Sequence, residues 1–245
     1  MRCVIVRHAF LFVAATLLAL ICAAQTISTV PEGVERYARD MNAAMSSSGP
    51  VSLEKAFEEG VSAAEALEHG QLHRLDEPTF QKVKRLMIGF WVNRVERISA
   101  DPDPSFFVKL AHEKGTQVDQ SFFEVLMKTY PDSKSWAPVY IEPKTDWGGC
   151  YVFDGKTLSG TYGLWTSFQK AYPRIFRGAV RKELALIQSA LESECVCGGE
   201  DEYRRELQSF LKTYPNSPFA SGVASRLDAV NKKTFKIRFH CEPQG

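Results

Sequence analysis

Three copies of one short pattern constrain this chain more than anything else in it. Lys128-Thr129-Tyr130-Pro131, Lys170-Ala171-Tyr172-Pro173 and Lys212-Thr213-Tyr214-Pro215 repeat a Tyr-Pro pair at the same 42-residue step both times. Four residues before each tyrosine stands an apolar residue, Leu126, Phe168 or Phe210, and seven before it a large one, Phe123, Trp165 or Leu207. Spacings of three, four and seven line one face of a helix, so each copy is an apolar stripe closed by a proline. The best-defined copy, Glu206–Pro218, is followed by a second helical run, Phe219–Lys232. A recurring supersecondary unit of this kind dictates architecture and names no chemistry.

The N-terminus reads as a processing segment. Arg2 and Arg7 precede the apolar run Phe10–Ala24, and Cys22-Ala23-Ala24 before Gln25 supplies the small residues of a cleavage site, so 1–24 is expected to be a signal peptide. The run is shorter than the roughly 20 residues that cross a bilayer. Ile21 before Cys22 departs from the small residue that a lipid-anchoring site wants there. Without Arg2 and Arg7, the 30 basic residues fall to 28 against 29 acidic ones, an even balance that steers the protein toward neither nucleic acid nor an anionic membrane surface. No later apolar run approaches spanning length, so the mature chain is expected to be exported to the periplasm or the extracellular space without a membrane span. Four cysteines follow the signal: Cys150, Cys195, Cys197 and Cys241. An even count in an exported chain favours disulfides. A bond between Cys195 and Cys197 would close a very small ring far from preferred geometry, so one of them is expected to pair with Cys150 and the other with Cys241. Either assignment fits the sequence. A metal or redox role for Cys195-Val196-Cys197 lacks the usual two-residue spacing.

Taken in order, Pro31 opens a helix carrying Val34, Tyr37, Ala38 and Met41, broken at Ser46–Pro50. Ser52 is placed to cap a second helix that ends at Gly70, and Asp76 with Pro78 opens a third through Phe90. Residues 91–100 fit a continued helix or a strand. Two short helices meet at Gly115, the second ending at Tyr130. Trp136–Asp154, with Pro138, Pro143, Gly148 and Gly149, has no helical period and reads as a long ordered loop with room for a short strand at Val139–Glu142 or Tyr151–Phe153. Helices return at Leu158–Ala171, Ile175–Glu192, Glu202–Thr213 and Phe219–Asn231, and Thr234–Cys241 alternates as a strand. The expected organisation is an N-terminal helical region over 25–117 and helical hairpins over 118–245, the two able to pack as one body. The fold class is mainly α.

The run Glu206–Leu227 resembles the tetratricopeptide-type repeats of bacterial envelope proteins, in the style of the outer-membrane assembly lipoproteins and the Tol-Pal coordinator. There a similar Phe-x-x-x-Tyr-Pro-x-Ser-Pro turn joins two helices. The Tyr172-Pro173 and Tyr130-Pro131 copies match it in outline. The 42-residue step departs from the usual 34, and the first copy runs into the Pro/Gly-rich loop instead of a second helix. The resemblance implies a helical scaffold that binds a partner, and it carries over no catalytic residue.

The residue groupings that could carry chemistry have architectural readings. His112-Glu113 lacks a second histidine at residue 116, where Thr stands, and no phosphate-binding glycine motif or nucleophile elbow occurs. His69 and His73 are interrupted by Gly70, which suits a helix end. Glu200-Asp201-Glu202 suits a helix start, with Asp201 as its cap. The strongest candidate surface is Thr145–Tyr151, where Asp146, Trp147 and Tyr151 sit among glycines beside a cysteine. Packing by Trp147 and Tyr151 against the helices is the competing expectation. The reading is therefore a non-enzymatic scaffold that needs no cofactor or metal and binds a protein or peptide partner in the cell envelope on a helical groove. The alternative is a small-ligand binder or enzyme using the Trp147–Tyr151 loop.

Overall fold

The structure, a computed structural model, describes residues 27–95, 97–132, 137–145, 148–234 and 237–239. The expected signal peptide, Asp146, Trp147 and Cys241 fall outside the described residues. The described chain is mainly helical, with nine α-helices of which the first four are α1 (Glu32–Met45), α2 (Glu54–Ala66), α3 (Glu77–Leu86) and α4 (Pro104–Lys114). The remaining five are α5 (Gln117–Thr129), α6 (Thr157–Ala171), α7 (Arg177–Leu191), α8 (Glu200–Thr213) and α9 (Ala220–Asn231). Helices pack as consecutive pairs, α1 on α2, α4 on α5, α6 on α7 and α8 on α9, and α6 also packs on α5 and α8. Among the described residues no helix is long and apolar enough to cross a membrane.

The Tyr-Pro pairs do the same backbone work each time. Tyr130, Tyr172 and Tyr214 are the C-caps of α5, α6 and α8, with φ/ψ of −124/73, −132/69 and −127/57. A proline disfavours α geometry at the residue before it, and each tyrosine N–H still donates to the carbonyl four residues back, at Leu126, Phe168 and Phe210. The stripe residues Phe123, Trp165 and Leu207 are fully buried.

The elements that come after each Tyr-Pro account for the 42-residue step. A sheet orders β3 (Ile141–Thr145), β4 (Gly148–Tyr151), β5 (Cys195–Val196) and β6 (Arg238–Phe239) side by side. β3 and β4 are antiparallel, and β4, β5 and β6 run parallel, with Tyr151 opposite Val196 and Val196 opposite Phe239. Each copy is thus a helix, a Tyr-Pro turn, a second element and a strand: α6–α7–β5 and α8–α9–β6, with β3 replacing the second helix in α5–β3–β4. A 34-residue helical pair has no room for the strand and its connections. The expected long loop is therefore a β-hairpin, and its place in the sheet comes from pairing with residues far along the chain. At the C-terminus the expected strand is present at Arg238–Phe239, with Ile237 and Phe239 half-buried and Arg238 exposed, as alternation requires. Within 91–100, residues 91–93 and 99–100 are strand, in a separate hairpin of β1 (Phe90–Asn93) and β2 (Ser99–Pro102).

One apolar core runs from Val34 to Val230. Its centre is aromatic: Phe57 meets Phe107, Phe122 and Phe123 edge-on at 5.1 to 5.4 Å, and Phe122 stacks on Phe176 at 3.7 Å. Gly60 in α2 is required here, because a Cβ would come within 2.7 Å of Tyr37 and 2.8 Å of Phe90.

Helix N-termini leave four N–H groups without helical partners, and at three helices a carboxylate from a distant segment serves one of them. Leu53 N–H, at the start of α2, donates to Asp119 of α5 at 3.0 Å. Phe176 N–H, at the start of α7, donates to Glu54 of α2. Ser159 N–H, in the first turn of α6, donates to Glu206 of α8 at 3.2 Å. Negative charge at a helix N-terminus is favourable, so these contacts join the hairpins. At the α2 terminus Ser52 Oγ accepts from Glu54 N–H at 3.4 Å beside Asp119 on Leu53 N–H, whereas the expected α8 cap is corrected: Gly199 takes that position in place of Asp201, with Glu202 accepting from its N–H at 3.0 Å and Asp201 turned to Arg204. Asp76 caps α3 as expected, accepting from Thr79 N–H at 2.8 Å.

Candidate functional site

The region with the most unusual chemistry lies where the end of α5 and the residue leading into β3 meet Glu183 of α7. Thr129 and Tyr130 end α5, and Val139 N–H returns to Thr129 O at 2.9 Å, which fixes where the chain enters β3. Tyr140 comes next, with its carbonyl accepting from Val152 N–H at 2.9 Å and its ring stacked on Tyr151 at 6.4 Å. On the far side, Cys197 N–H donates to Tyr151 O at 3.1 Å, and Cys150 and Cys197 form a disulfide with Cα atoms 5.3 Å apart. That bond closes a separation of 47 residues and locks β4 beside β5.

Beside Tyr130 lies Glu183 of α7, 6% exposed. Tyr130 donates its O–H to the carboxylate, 2.9 Å from Oε2 and 3.1 Å from Oε1. Burial disfavours the charged form and pushes the Glu183 pKa up to about 7, with the Tyr130 hydrogen bond and Lys182 opposing the rise. The Tyr130 hydroxyl is itself held well above the ordinary tyrosine value by burial and the Glu183 charge. Tyr140 is 1% exposed, its hydroxyl has no hydrogen-bond partner, and burial followed by Glu183 raises its pKa too. A carboxyl poised near neutrality beside two tyrosines can hold or release a proton. The cluster is sealed from solvent as it stands.

A second buried carboxylate, Glu206, accepts from Ser159 Oγ at 2.6 Å as well as from its N–H, and its Oε2 has no partner. Burial raises its pKa against these hydrogen bonds. Ser159 also accepts at its carbonyl from the Tyr214 hydroxyl at 3.0 Å, so α8 grips α6 at two points of one residue.

Of the residues singled out in the sequence, Cys150 and Cys197 are joined, and Cys195 is disulfide-bonded to a residue outside the described set. Tyr151 sits in β4, half-buried. Tyr130 and Tyr214 anchor neighbouring elements by their hydroxyls, while Tyr172 packs on Phe168 at 5.1 Å. Pro131, Pro173 and Pro215 come directly after the three C-caps. His69 lies in a turn that ends at Gly70, φ 125°, and its Nδ1 is 2.7 Å from Glu65 O. His112 Nε2 is 3.5 Å from Glu124. Among the described residues no three of His, Cys, Asp or Glu converge as a metal site would require.

Sequence reasoning missed Glu183 and Glu206. The signal was there: Glu183 stands between Val180 and Ile187 at helical spacing, and Glu206 between Tyr203 and Phe210, so each puts a carboxylate inside an apolar stripe.

Two features of the outer surface stand apart from these clusters. The β1–β2 hairpin carries three of the five large apolar side chains exposed among the described residues: Trp91 at 45%, Val95 at 87% and Ile98 at 46%. Arg94, at its turn, donates to Leu75 O at 2.6 Å and lies 4.0 Å over the Phe80 ring. Elsewhere an open depression of about 490 Å³ is lined by Arg36, Glu54, Lys55, Glu58, Glu59 and Ser62. In comparisons with known proteins, no family model, curated protein or solved structure matches the chain.

Proposed function

We propose that the protein is an exported, non-enzymatic helical scaffold that binds a protein or peptide partner through the exposed apolar side chains of the β1–β2 hairpin. The observation that carries the reading is the division of labour among its apolar residues. The large side chains of the Tyr-Pro units are spent on packing, and exposed ones collect at Trp91, Val95 and Ile98. Contiguous exposed apolar surface marks an interaction site, and tryptophan is enriched among residues that dominate binding. Export is supported by the Cys150–Cys197 bond, since disulfides persist in oxidising compartments. The likeness of Glu206–Leu227 to tetratricopeptide-type envelope repeats supports the same function. The test places a photo-crosslinker at position 95 and compares Trp91→Ala with the otherwise unaltered protein. One adduct that Trp91→Ala abolishes supports the reading. Adducts that are absent, or indifferent to Trp91, refute it.

The small-ligand alternative centred on Asp146, Trp147 and Tyr151 draws on one observation, the stacking of Tyr151 on Tyr140 beside Glu183. It requires a ligand whose thermal stabilisation of the protein disappears in Tyr140→Phe.

A further inference from the structure

We infer that Glu183, Tyr130 and Tyr140 form a proton-operated clasp that sets how firmly the β3–β4 hairpin lies on the helical body. The three side chains come from three segments: Tyr130 ends α5, Tyr140 leads into β3 and Glu183 lies on α7. With the carboxyl protonated, the Tyr130 contact satisfies a neutral pair in a dry site. Ionisation leaves a buried carboxylate with one donor for two oxygens, and a buried anion needs more donors than that. The nearby unused donor is the Tyr140 hydroxyl, which has no partner. Its ring is fixed against Tyr151 and its carbonyl is bonded to Val152 N–H, so it cannot turn to Glu183 without disturbing the hairpin. Water entering beneath the hairpin serves both groups at once.

The other charges around the cluster do not replace that route. Lys182 is adjacent on α7 but is engaged with Glu65 of α2. Tyr151 and Asp101 face the two tyrosines and add no cation, and Asp101 is itself buried with its pKa raised. The Cys150–Cys197 bond keeps β4 tethered to β5, so the motion is a hinged loosening and the hairpin stays attached. The proposal is independent of which partner the protein binds.

Hydrogen exchange on the disulfide-intact protein, corrected for intrinsic rates, tests it between pH 5.5 and 8.5. With Glu183 at about 7 when closed and 4.5 when open, the opening constant of the β3–β4 amides is expected to rise roughly thirtyfold. Amides of α1, which carries neither Glu183 nor Glu206, are expected to change less over the range. Glu183→Gln, which keeps an acceptor for Tyr130, is expected to hold the rise below about threefold. A wild-type profile that is flat or falls with pH overturns the proposal whether or not the variant folds. An undiminished rise in Glu183→Gln overturns it as well.

Discussion

Alanine at Gly163 is expected to destabilise the protein, while alanine at Gly160, one turn earlier in the same helix, stabilises it. The intrinsic gain for Gly→Ala in a helix interior is about 1 kcal/mol at either position. A Cβ at Gly160 meets nothing within 4 Å, so that gain is realised in full. A Cβ at Gly163 would come closer to the Tyr214 hydroxyl than a real Cβ approaches any heavy atom. The tyrosine must then leave its seat, losing the hydrogen bond to Ser159 O, worth about 1 kcal/mol. It also disturbs packing with Tyr162 at 4.8 Å and Phe210 at 5.4 Å, worth about 1–3 kcal/mol when a packed site is overfilled. These losses exceed the propensity gain and leave Gly163→Ala about 2 kcal/mol less stable. Urea unfolding followed by far-UV circular dichroism under non-reducing conditions measures both variants. The mechanism is isolated by Tyr214→Phe, because the phenyl carbon beneath the hydroxyl lies 3.5 Å from the would-be Cβ, an ordinary contact. In that background Gly163→Ala becomes neutral or stabilising, a coupling of about 2 kcal/mol. Equal effects of Gly163→Ala with and without the Tyr214 hydroxyl would refute the claim that the third Tyr-Pro unit docks on the helix of the second.

Cys150→Ser opens a 47-residue separation and is expected to cost about 4 kcal/mol, read as a lowered urea midpoint against the oxidised parent. Glu206→Gln keeps an acceptor for Ser159 and removes a buried charge. Because the folded-state pKa of Glu206 is raised, its contribution to stability is complete below the unfolded value of 4.5 and lost as pH rises through the folded one. Glu206→Gln is therefore expected to flatten that part of the pH–stability profile, and an unchanged profile counts against burial as the cause. Val95→Asp is expected to leave stability within about 0.5 kcal/mol, since Val95 is 87% exposed, while abolishing partner capture.

The helices were legible because their stripes are long and regular, and the Tyr-Pro pairs marked three helix ends correctly because a residue before proline is biased away from α geometry. The strands were harder. β6 was legible through the alternation of the longer run Thr234–Cys241, but β5 is two residues, too short to carry a period, and β3 with β4 holds Pro143, Gly148 and Gly149, which read locally as loop. Pairing between Tyr151 and Val196 and between Val196 and Phe239, set by tertiary structure, makes them strands. Local caps such as Asp76 were legible, but the carboxylate serving Leu53 N–H is Asp119, 66 residues away. Glu183 and Glu206 were passed over because carboxylates on amphipathic helices are usually solvated, although their place in the stripe was visible. The proposed contact residues Trp91, Val95 and Ile98 were equally visible as apolar residues, but their exposure is set by how β1–β2 is placed on the body, with Arg94 tied to Leu75 and Phe80.

Each 42-residue unit adds one strand, β4, β5 or β6, parallel to its neighbour on one side of the sheet, and the Cys150–Cys197 bond staples the first two. Mass mapping of the unreduced protein reads that arrangement directly. The expected result is a peptide pair joining Cys150 to Cys197, no free thiol at Cys195, and a second pair joining Cys195 to Cys241. A bond from Cys150 to Cys195, or a free thiol at Cys150 or Cys197, would contradict the strand arrangement that defines the unit.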